Sequence, residues 1–156
     1  MDIIEIESGD SVEDVRGLWT DMVEELDQYL TIKSIDDGYR SVIRSTLNEW
    51  QQGNNNVLFA CSDDSTEGFI AARQTDGNDL FISDVIVYIE ALYISESHRG
   101  QGYASQLVDR VEDWASNEVD ADQITLAVES NNVPAQEFWK DKGYQTTLEK
   151  RVKNVD

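Results

Sequence analysis

The sequence predicts an α/β fold: a single domain built on a mixed sheet. Three observations predict it. The chain has 156 residues, enough for one sizeable core and too few for two ordinary domains. Short runs rich in β-branched and aromatic residues are interleaved with segments of helical period, in the order β-α-α-β-β-β-α-β-α-β. One apolar run, Val85–Ile94, leads through a turn with two glycines into a strongly periodic helix, as a strand does when it feeds a crossover to a parallel neighbour.

The elements follow in order. Ile3, Ile4 and Ile6 make a short first strand, ended by Ser8-Gly9-Asp10. Asp10 or Ser11 is placed to cap the next helix. In that helix Val12, Val15, Leu18, Trp19, Met22, Val23, Leu26 and Tyr29 recur at helical spacing. Leu30–Asp37 breaks the pattern. A second helix spans Asp37 to Gln51, with Tyr39, Val42, Ile43, Leu47 and Trp50 on its apolar side, and Gly53-Asn54-Asn55-Asn56 is a loop by composition. Two strands follow, Val57–Cys61 and Gly68–Arg73, joined by the polar turn Ser62–Thr66. A second polar turn, Thr75–Asp79, leads to the run ending at Ile94, which is rich in Val, Ile and Tyr like a strand buried on both faces. The helix after it carries Tyr103, Ala104, Leu107, Val108, Val111 and Trp114 on one face and ends near Asn117. Ile124–Val128 is a fifth strand, parallel to the fourth through a right-handed crossover. Asn131-Asn132-Val133-Pro134 opens the last helix, with proline in the first turn, where a missing N–H costs little. Gly143 stops that helix, and Tyr144–Val152 has the pattern of a final strand.

Composition limits function. The chain has 32 Asp and Glu against 12 Lys and Arg, a formal net charge of -20. Nucleic acid is a poor partner for such a surface, because binding it rests on basic contacts to phosphates. The charge could attract a cationic substrate, or it could be an adaptation to high salt spread over the whole surface. The acidic residues run the length of the chain and lysine is scarce, which favours the second, a halophilic solvation device. One cysteine, Cys61, rules out an internal disulfide. With one histidine besides, a zinc site of the usual Cys/His kind is excluded, and no metal is expected. No apolar stretch approaches the roughly 20 residues of a membrane span. Met1–Asp10 holds acidic residues and no basic, apolar leader, so a soluble cytoplasmic protein without a membrane partner is expected.

The chemistry centres on His98-Arg99-Gly100-Gln101-Gly102-Tyr103-Ala104-Ser105. A strand, a glycine turn and a helix start leave backbone N–H groups aimed one way, at the positive end of a helix dipole. Glycines let an anion reach the backbone, and Arg99 adds permanent positive charge at the rim. The same residues are also what an ordinary strand–helix connection needs. His98 sits in a polar turn and reads as a surface residue, and Cys61 as a small core residue. Glu90 is the one ionisable carboxylate inside Val85–Ile94. It is either solvated at an edge or opening, or it is a general base with a raised pKa or a polar partner.

Arg99-Gly100-Gln101-Gly102-Tyr103-Ala104 resembles the Arg/Gln-x-x-Gly-x-Gly/Ala signature of the GCN5-related N-acetyltransferase (GNAT) superfamily. Asn132-x-x-Ala135-x-x-Phe138-Trp139-x-x-x-Gly143-Tyr144 is similar to the pattern of that family's last helix, and Glu90-Ala91-Leu92-Tyr93-Ile94 to the end of its fourth strand. The resemblance implies a GNAT-type fold, with fourth and fifth strands that splay apart and acetyl-CoA in the wedge. It implies that Glu90 is the base, and that backbone groups of Leu92, Tyr93 and Ile94 pair with the pantetheine arm. It places the pyrophosphate on the amides of Arg99, Gly100, Gln101, Gly102, Tyr103, Ala104 and Ser105, and the rest of the arm against Asn132, Ala135 and Trp139. Tyr29, Thr31, Lys33, Asp36, Asp37 and Tyr39 fall on the acceptor side, with Tyr29 and Tyr39 as the substrate-binding candidates. It implies direct attack of a primary amine on the thioester in one ternary complex, and it allows a homodimer. Trp139 departs from the Tyr common at that position, and an indole is no proton source near neutral pH. A packing role for Trp139 is preferred. The departure also leaves a second reading, a non-catalytic acyl-CoA-binding or regulatory module.

Overall fold

A computed structural model describes residues 1–30, 34–76 and 85–155. Five strands, β1 (Asp2–Glu5), β2 (Asn56–Asp63), β3 (Ser65–Asp76), β4 (Val85–Ile94) and β5 (Gln123–Thr125), form one sheet in the order of their numbers. Every pair is antiparallel except β4–β5, which is parallel. Among the described residues four helices cover it: α1 (Glu13–Leu26), α2 (Tyr39–Gln52), α3 (Tyr103–Trp114) and α4 (Val133–Asp141). The fold is the mixed α/β arrangement that the order of elements predicts.

The alternation of a strand explains the two layers. Val57, Phe59 and Cys61 of β2 face Leu107, Val108 and Val111 of α3 and Trp139 of α4. Leu58 and Ala60, the residues between them, face Val15, Leu18 and Trp19 of α1 and Ile43, Leu47 and Trp50 of α2. A sheet buried on both faces needs apolar residues at successive positions, and β2 and β3 supply them. Trp19 stacks on Phe69, with ring centres 5.3 Å apart, and fixes α1 against β3.

Several boundaries differ from expectation. The N-cap position of α1 is Val12, with no side-chain cap bond of its own, and Ser11 Oγ accepts the N–H of Glu13, the first residue of the helix, at 3.4 Å. Asp10 instead accepts the N–H of Glu7, at 2.8 Å, and closes the preceding turn. Val42, expected on the apolar side of α2, is 60% exposed, because the helix buries Ile43, Leu47 and Trp50 in the core and turns Val42 away from them, with Tyr39 packed at the edge. The β2–β3 hairpin is longer than predicted and turns at Asp64, whose φ of +67° is a left-handed value that Asp tolerates. The turn expected at Thr75–Asp79 begins no earlier than Asp76, since β3 runs that far, and its residues 77–79 lie outside the described residues. The fifth strand is three residues, not five. Tyr144–Val152, expected as a final strand, forms none and joins no ladder of the sheet. Among the described residues no helix is long and apolar enough to cross a membrane.

Candidate functional site

The site begins with a mismatch of register. Ala71 of β3 pairs with Ala91 of β4, but Ala72 pairs with Ile89. Glu90 is therefore the extra residue of a β-bulge, and a bulge bends its strand and re-aims a side chain. The other edge of β4 parts company at the same place. β5 pairs with Ile86, Val87 and Tyr88, and the ladder stops there. Leu126–Val128, expected to continue the strand, lies outside the sheet. Asp122 ties the two strands together at their start, where its carboxylate accepts the N–H of Val85 at 2.9 Å. The result is two parallel strands joined at one end and open at the other. Open α/β sheets hold ligands in such a crevice, beyond the carboxyl ends of the strands.

Glu90 is exposed at this opening. Its carboxylate accepts from Arg73 Nε at 3.2 Å, and Arg73 also lies over the Tyr88 ring, 5.4 Å from its centre. Of the two readings of Glu90, the structure places it as a carboxylate in contact with solvent and with a cationic partner. It is not the buried, unpaired acid.

Beyond Ile94 the chain makes one 3-10 turn, Glu96–His98, and then the glycine turn. Gly100 and Gly102 have φ of +75° and +85°, which an L side chain resists, and no atom lies within 4 Å of where a Cβ would stand on either. Gly102 is the N-cap of α3, and no side chain caps that helix. The first helical bond runs from the N–H of Gln106 to the carbonyl of Gly102. The N–H groups of Tyr103, Ala104 and Ser105 thus have no helical partner. Bare amides at a helix start, approached over two glycines, suit an anion such as a phosphate.

Arg99 is not the free rim charge the sequence led us to expect. Its Nη1 and Nη2 donate to the two carboxylate oxygens of Glu25 on α1, at 2.7 and 2.6 Å, and its Nε donates to the carbonyl of Ile94 at 2.9 Å. The guanidinium also sits 5.3 Å from the centre of the Tyr93 ring. Its hydrogen bonds hold the Glu25 carboxyl below the ordinary carboxylate range, while burial and then the nearby Glu25 charge push the Tyr93 phenol up. A bidentate pair of this kind fixes geometry as well as charge. It joins α1, the end of β4 and the glycine turn.

A second brace holds the turn from β3. Ser95 Oγ donates to Glu67 Oε2 at 2.6 Å, and His98 Nδ1 lies 3.2 Å from the same oxygen. Ser95 N–H donates to the Glu67 carbonyl at 2.8 Å. The bonds from Ser65 and Ser95 hold the Glu67 carboxyl low. His98 stacks on Tyr103, with ring centres 6.2 Å apart. It is a half-buried brace rather than the surface residue expected.

The last helix closes the far side. Asn132 caps α4, its side-chain oxygen accepting the N–H of Ala135 at 3.3 Å. That oxygen thus has a local use besides the ligand contact expected of it. Trp139 is 9% exposed and meets Phe138 and Tyr144 edge to face, each at 5.0 Å. It packs in the core layer with Leu107, Val108 and Val111 of α3. Burial drives the Tyr144 phenol far above its ordinary value, and it drives the Cys61 thiol up to about 11. Lys142, which the sequence did not mark, donates to Ser105 Oγ at 3.1 Å and to Asp109 at 2.6 Å. It brings a cation to the first turn of α3.

The acceptor candidates do not converge. Tyr39 spends its hydroxyl on Glu24, at 2.5 Å, beneath Arg40. Tyr29 ends a 3-10 turn after α1. Asp36 accepts the N–H of Gly38 at 2.7 Å, ahead of α2, and Asp37 is exposed. Thr31 and Lys33 lie outside the described residues. Glu25, Arg73, Glu67 and Lys142 are the site residues that sequence reading missed. Each acts through a partner distant in sequence, so no local pattern marks it. Among the described residues no group of three His, Cys, Asp or Glu is placed to hold a metal ion.

Residues 19–144 match the acetyltransferase (GNAT) family. A search of curated proteins finds no match. Among solved structures, a mutant form of the BH1408 protein from Bacillus halodurans superposes with a TM-score of 0.81 at 18% identity, over 99% of each chain. An aminoglycoside acetyltransferase, AAC(6')-Iy, in complex with a bisubstrate analogue, CoA-S-monomethyl-acetylneamine, superposes with a TM-score of 0.77 at 20% identity, over 99% of this chain and 97% of that one. The aminoglycoside 6'-N-acetyltransferase AAC(6')-IG from Acinetobacter haemolyticus gives 0.74 at 16% identity, over the whole of both chains. At such identities the likeness is one of fold.

Proposed function

The chain belongs to the acetyltransferase (GNAT) family, and from that premise we propose that it transfers an acetyl group from acetyl-CoA to a primary amine of a small molecule or protein. The observation that carries this reading is a coincidence in space. The bulge at Glu90, the end of the β4–β5 ladder and the bare start of α3 all open on the same end of β4.

In this reading the pyrophosphate of acetyl-CoA sits on the amides from Arg99 to Ser105, with Lys142 close by. The pantetheine arm runs along the unladdered edge of β4, against Leu92, Tyr93 and Ile94. Arg99 already occupies the Ile94 carbonyl, so the arm pairs with the groups before it. Asn132, Ala135 and Trp139 line the opposite side. The amine must lose a proton to become a nucleophile. Glu90 takes it, directly or through an ordered water, with Arg73 holding the carboxylate in place. The nitrogen then forms a bond to the acetyl carbon, and the carbon–sulfur bond breaks. Backbone donors of β4 steady the carbonyl oxygen while this happens. The sulfur departs as the thiolate and draws its proton from water, since an indole at residue 139 supplies none.

The likeness to aminoglycoside acetyltransferases makes amino sugars acceptors to test first, beside polyamines and peptide amines. The test is thiol release from acetyl-CoA against that panel, in molar KCl, together with calorimetry of acetyl-CoA alone. Binding heat and amine-dependent thiol release are expected. Heat without release on any amine would favour the non-catalytic acyl-CoA-binding module. No heat would remove the reading altogether.

A further inference from the structure

Two charges of opposite sign meet where the acceptor amine must arrive. On β3 and β4 the apolar layer beneath α1 and α2 stops at Ala71 and Ala91. Ala72, Val87 and Ile89 belong to the opposite layer, beneath α3. Alternation therefore puts Arg73, Tyr88 and Glu90 on the α1–α2 side, and these three carry that face on towards solvent. The side chain of Arg73 is 47% exposed and that of Glu90 35%, and Arg73 Nε donates to Glu90 Oε2 at 3.2 Å. The guanidinium is held over the Tyr88 ring.

Both groups have capacity to spare. One N–H of Arg73 goes to Glu90, and the two Nη nitrogens carry four more, in a plane that suits a carboxylate. Glu90 keeps a second oxygen, Oε1, for an ammonium. If Arg73 served only to hold Glu90, an uncharged donor would do so without setting a cation beside the acceptor's ammonium, where like charge repels it.

Charge says which amine fits. The chain has 12 basic residues against 32 acidic ones, yet this side of β4 holds two of its arginines. Arg99 pairs with Glu25 beside Tyr93, as Arg73 pairs with Glu90, with Asp21 of α1 near the Tyr93 phenol. A site for a polycation would gather carboxylates; here the carboxylate of each pair is matched by an arginine. The acidic surface as a whole draws any cation at long range. Molar salt removes that pull beyond about 3 Å, and the local pair remains. Its complement is a molecule with two adjacent charges in the reverse sense, an ammonium for Glu90 and a carboxylate for Arg73.

We propose that the acceptor is an α-amino acid, its amine on Glu90 Oε1 and its carboxylate on the Nη nitrogens of Arg73. The proposal rests on the acetyl-transfer reading and names the acceptor class for it. The ammonium gives one proton to Glu90, the nitrogen bonds the acetyl carbon, and the carbon–sulfur bond breaks. The nitrogen loses its second proton to water, and the thiolate takes one from water. The product is an N-acetyl amino acid. Its amide nitrogen carries no charge, so it loses its hold on Glu90 and keeps only the contact with Arg73. Arg73 thus acts twice, positioning the base and selecting the acceptor.

The test is thiol release from acetyl-CoA in molar KCl with the common amino acids, each beside the amine left when its carboxylate is removed, such as phenylalanine beside phenethylamine. Neamine and spermidine serve as polycations. For at least one pair kcat/KM should be about 10–100-fold higher for the amino acid than for its amine, the usual worth of a hydrogen bond to a charged group, and neither polycation should exceed it. Arg73→Gln should lower kcat for both members of that pair alike, through Glu90, and should raise KM for the amino acid alone. Circular dichroism and the heat of acetyl-CoA binding check that the variant folds, and the comparison within the wild type stands without it. Plain amines or polycations that react as fast as the amino acids overturn the proposal and leave the acetyl-transfer reading standing. So does a preference for amino acids that survives Arg73→Gln. Release with no acceptor at all, with the heat of acetyl-CoA binding retained, defeats the transfer reading and the proposal with it.

Discussion

Glu90 is the surplus residue of β4. It lies two positions past Tyr88, which pairs with Arg73, so alternation sets it on the face of Arg73, and the pair stands where the β5 ladder has ended. If Glu90 takes the proton of the acceptor amine, Glu90→Gln should lower turnover by ~10²–10⁴-fold, the usual worth of a general base. Acetyl-CoA affinity by calorimetry should be unchanged. A near-wild-type rate would take Glu90 out of the reaction. The pair Glu25–Arg99 makes a different kind of claim, about stability and its dependence on pH. Arg99 holds the Glu25 carboxyl below its ordinary value of 4.5. The ionised pair therefore stabilises the fold fully above that value, and the contribution is lost as pH falls through the lower value of the folded state. Glu25→Gln should lower the Tm at pH 7, and the gap from wild type should close on acidification below pH 4.5. A gap that stays constant with pH would show that Glu25 acts by packing rather than by charge.

At the scale of elements, the end of β4 is located by close approach across the sheet. Gly68 of β3 pairs with Ile94, and a Cβ there would stand 2.8 Å from Cys61 Sγ and 2.9 Å from the Tyr93 carbonyl oxygen. Both lie in packed structure that cannot yield cheaply. Gly68→Ala should therefore destabilise the fold by about 1–3 kcal/mol, the usual range for overpacking, read as a fall in the urea midpoint with the slope unchanged. A neutral result would mean that β3 and β4 can move apart at the very point that aims the glycine turn. The same region shows what the sequence could and could not tell. Val85–Ile94 was legible residue for residue, and so was the buried face of α3, because hydrophobic period is a local signal. The Gly100–Gly102 turn was legible because positive φ demands glycine. The bulge was not, since it is a relation between two strands. Nor was the use of Arg99, whose partner lies 74 positions away in the chain. Tyr144–Val152 carries the pattern of a strand, but a pattern of side chains does not say which edge will receive it.

For the molecule as a whole, charge is the dominant unspent term. The fold gathers 32 acidic and 12 basic residues into one compact body, and unfolding lets like charges move apart. Exposed ion pairs such as Arg40–Glu24 and Arg151–Glu149 each offset little of this. Repulsion is therefore a standing cost of the folded state, and its size depends on how far the charges see one another. That distance shrinks from about 30 Å at 0.01 M salt to about 3 Å at 1 M. Salt should then stabilise this protein, and the shape of the response should identify the cause. Screening should raise the Tm steeply over the first few tenths molar KCl and then flatten, since by that point the screening length is shorter than the spacing of most surface charges. Strengthened burial of apolar surface, the other effect of salt, would instead climb in proportion to concentration and would be larger in sulfate than in chloride. Melting by circular dichroism from dilute buffer to molar KCl, repeated in potassium sulfate at matched ionic strength, separates the two. Coincident, saturating curves in both salts are expected. A Tm indifferent to KCl, or one rising linearly and faster in sulfate, would show that the acidic surface costs the folded protein little.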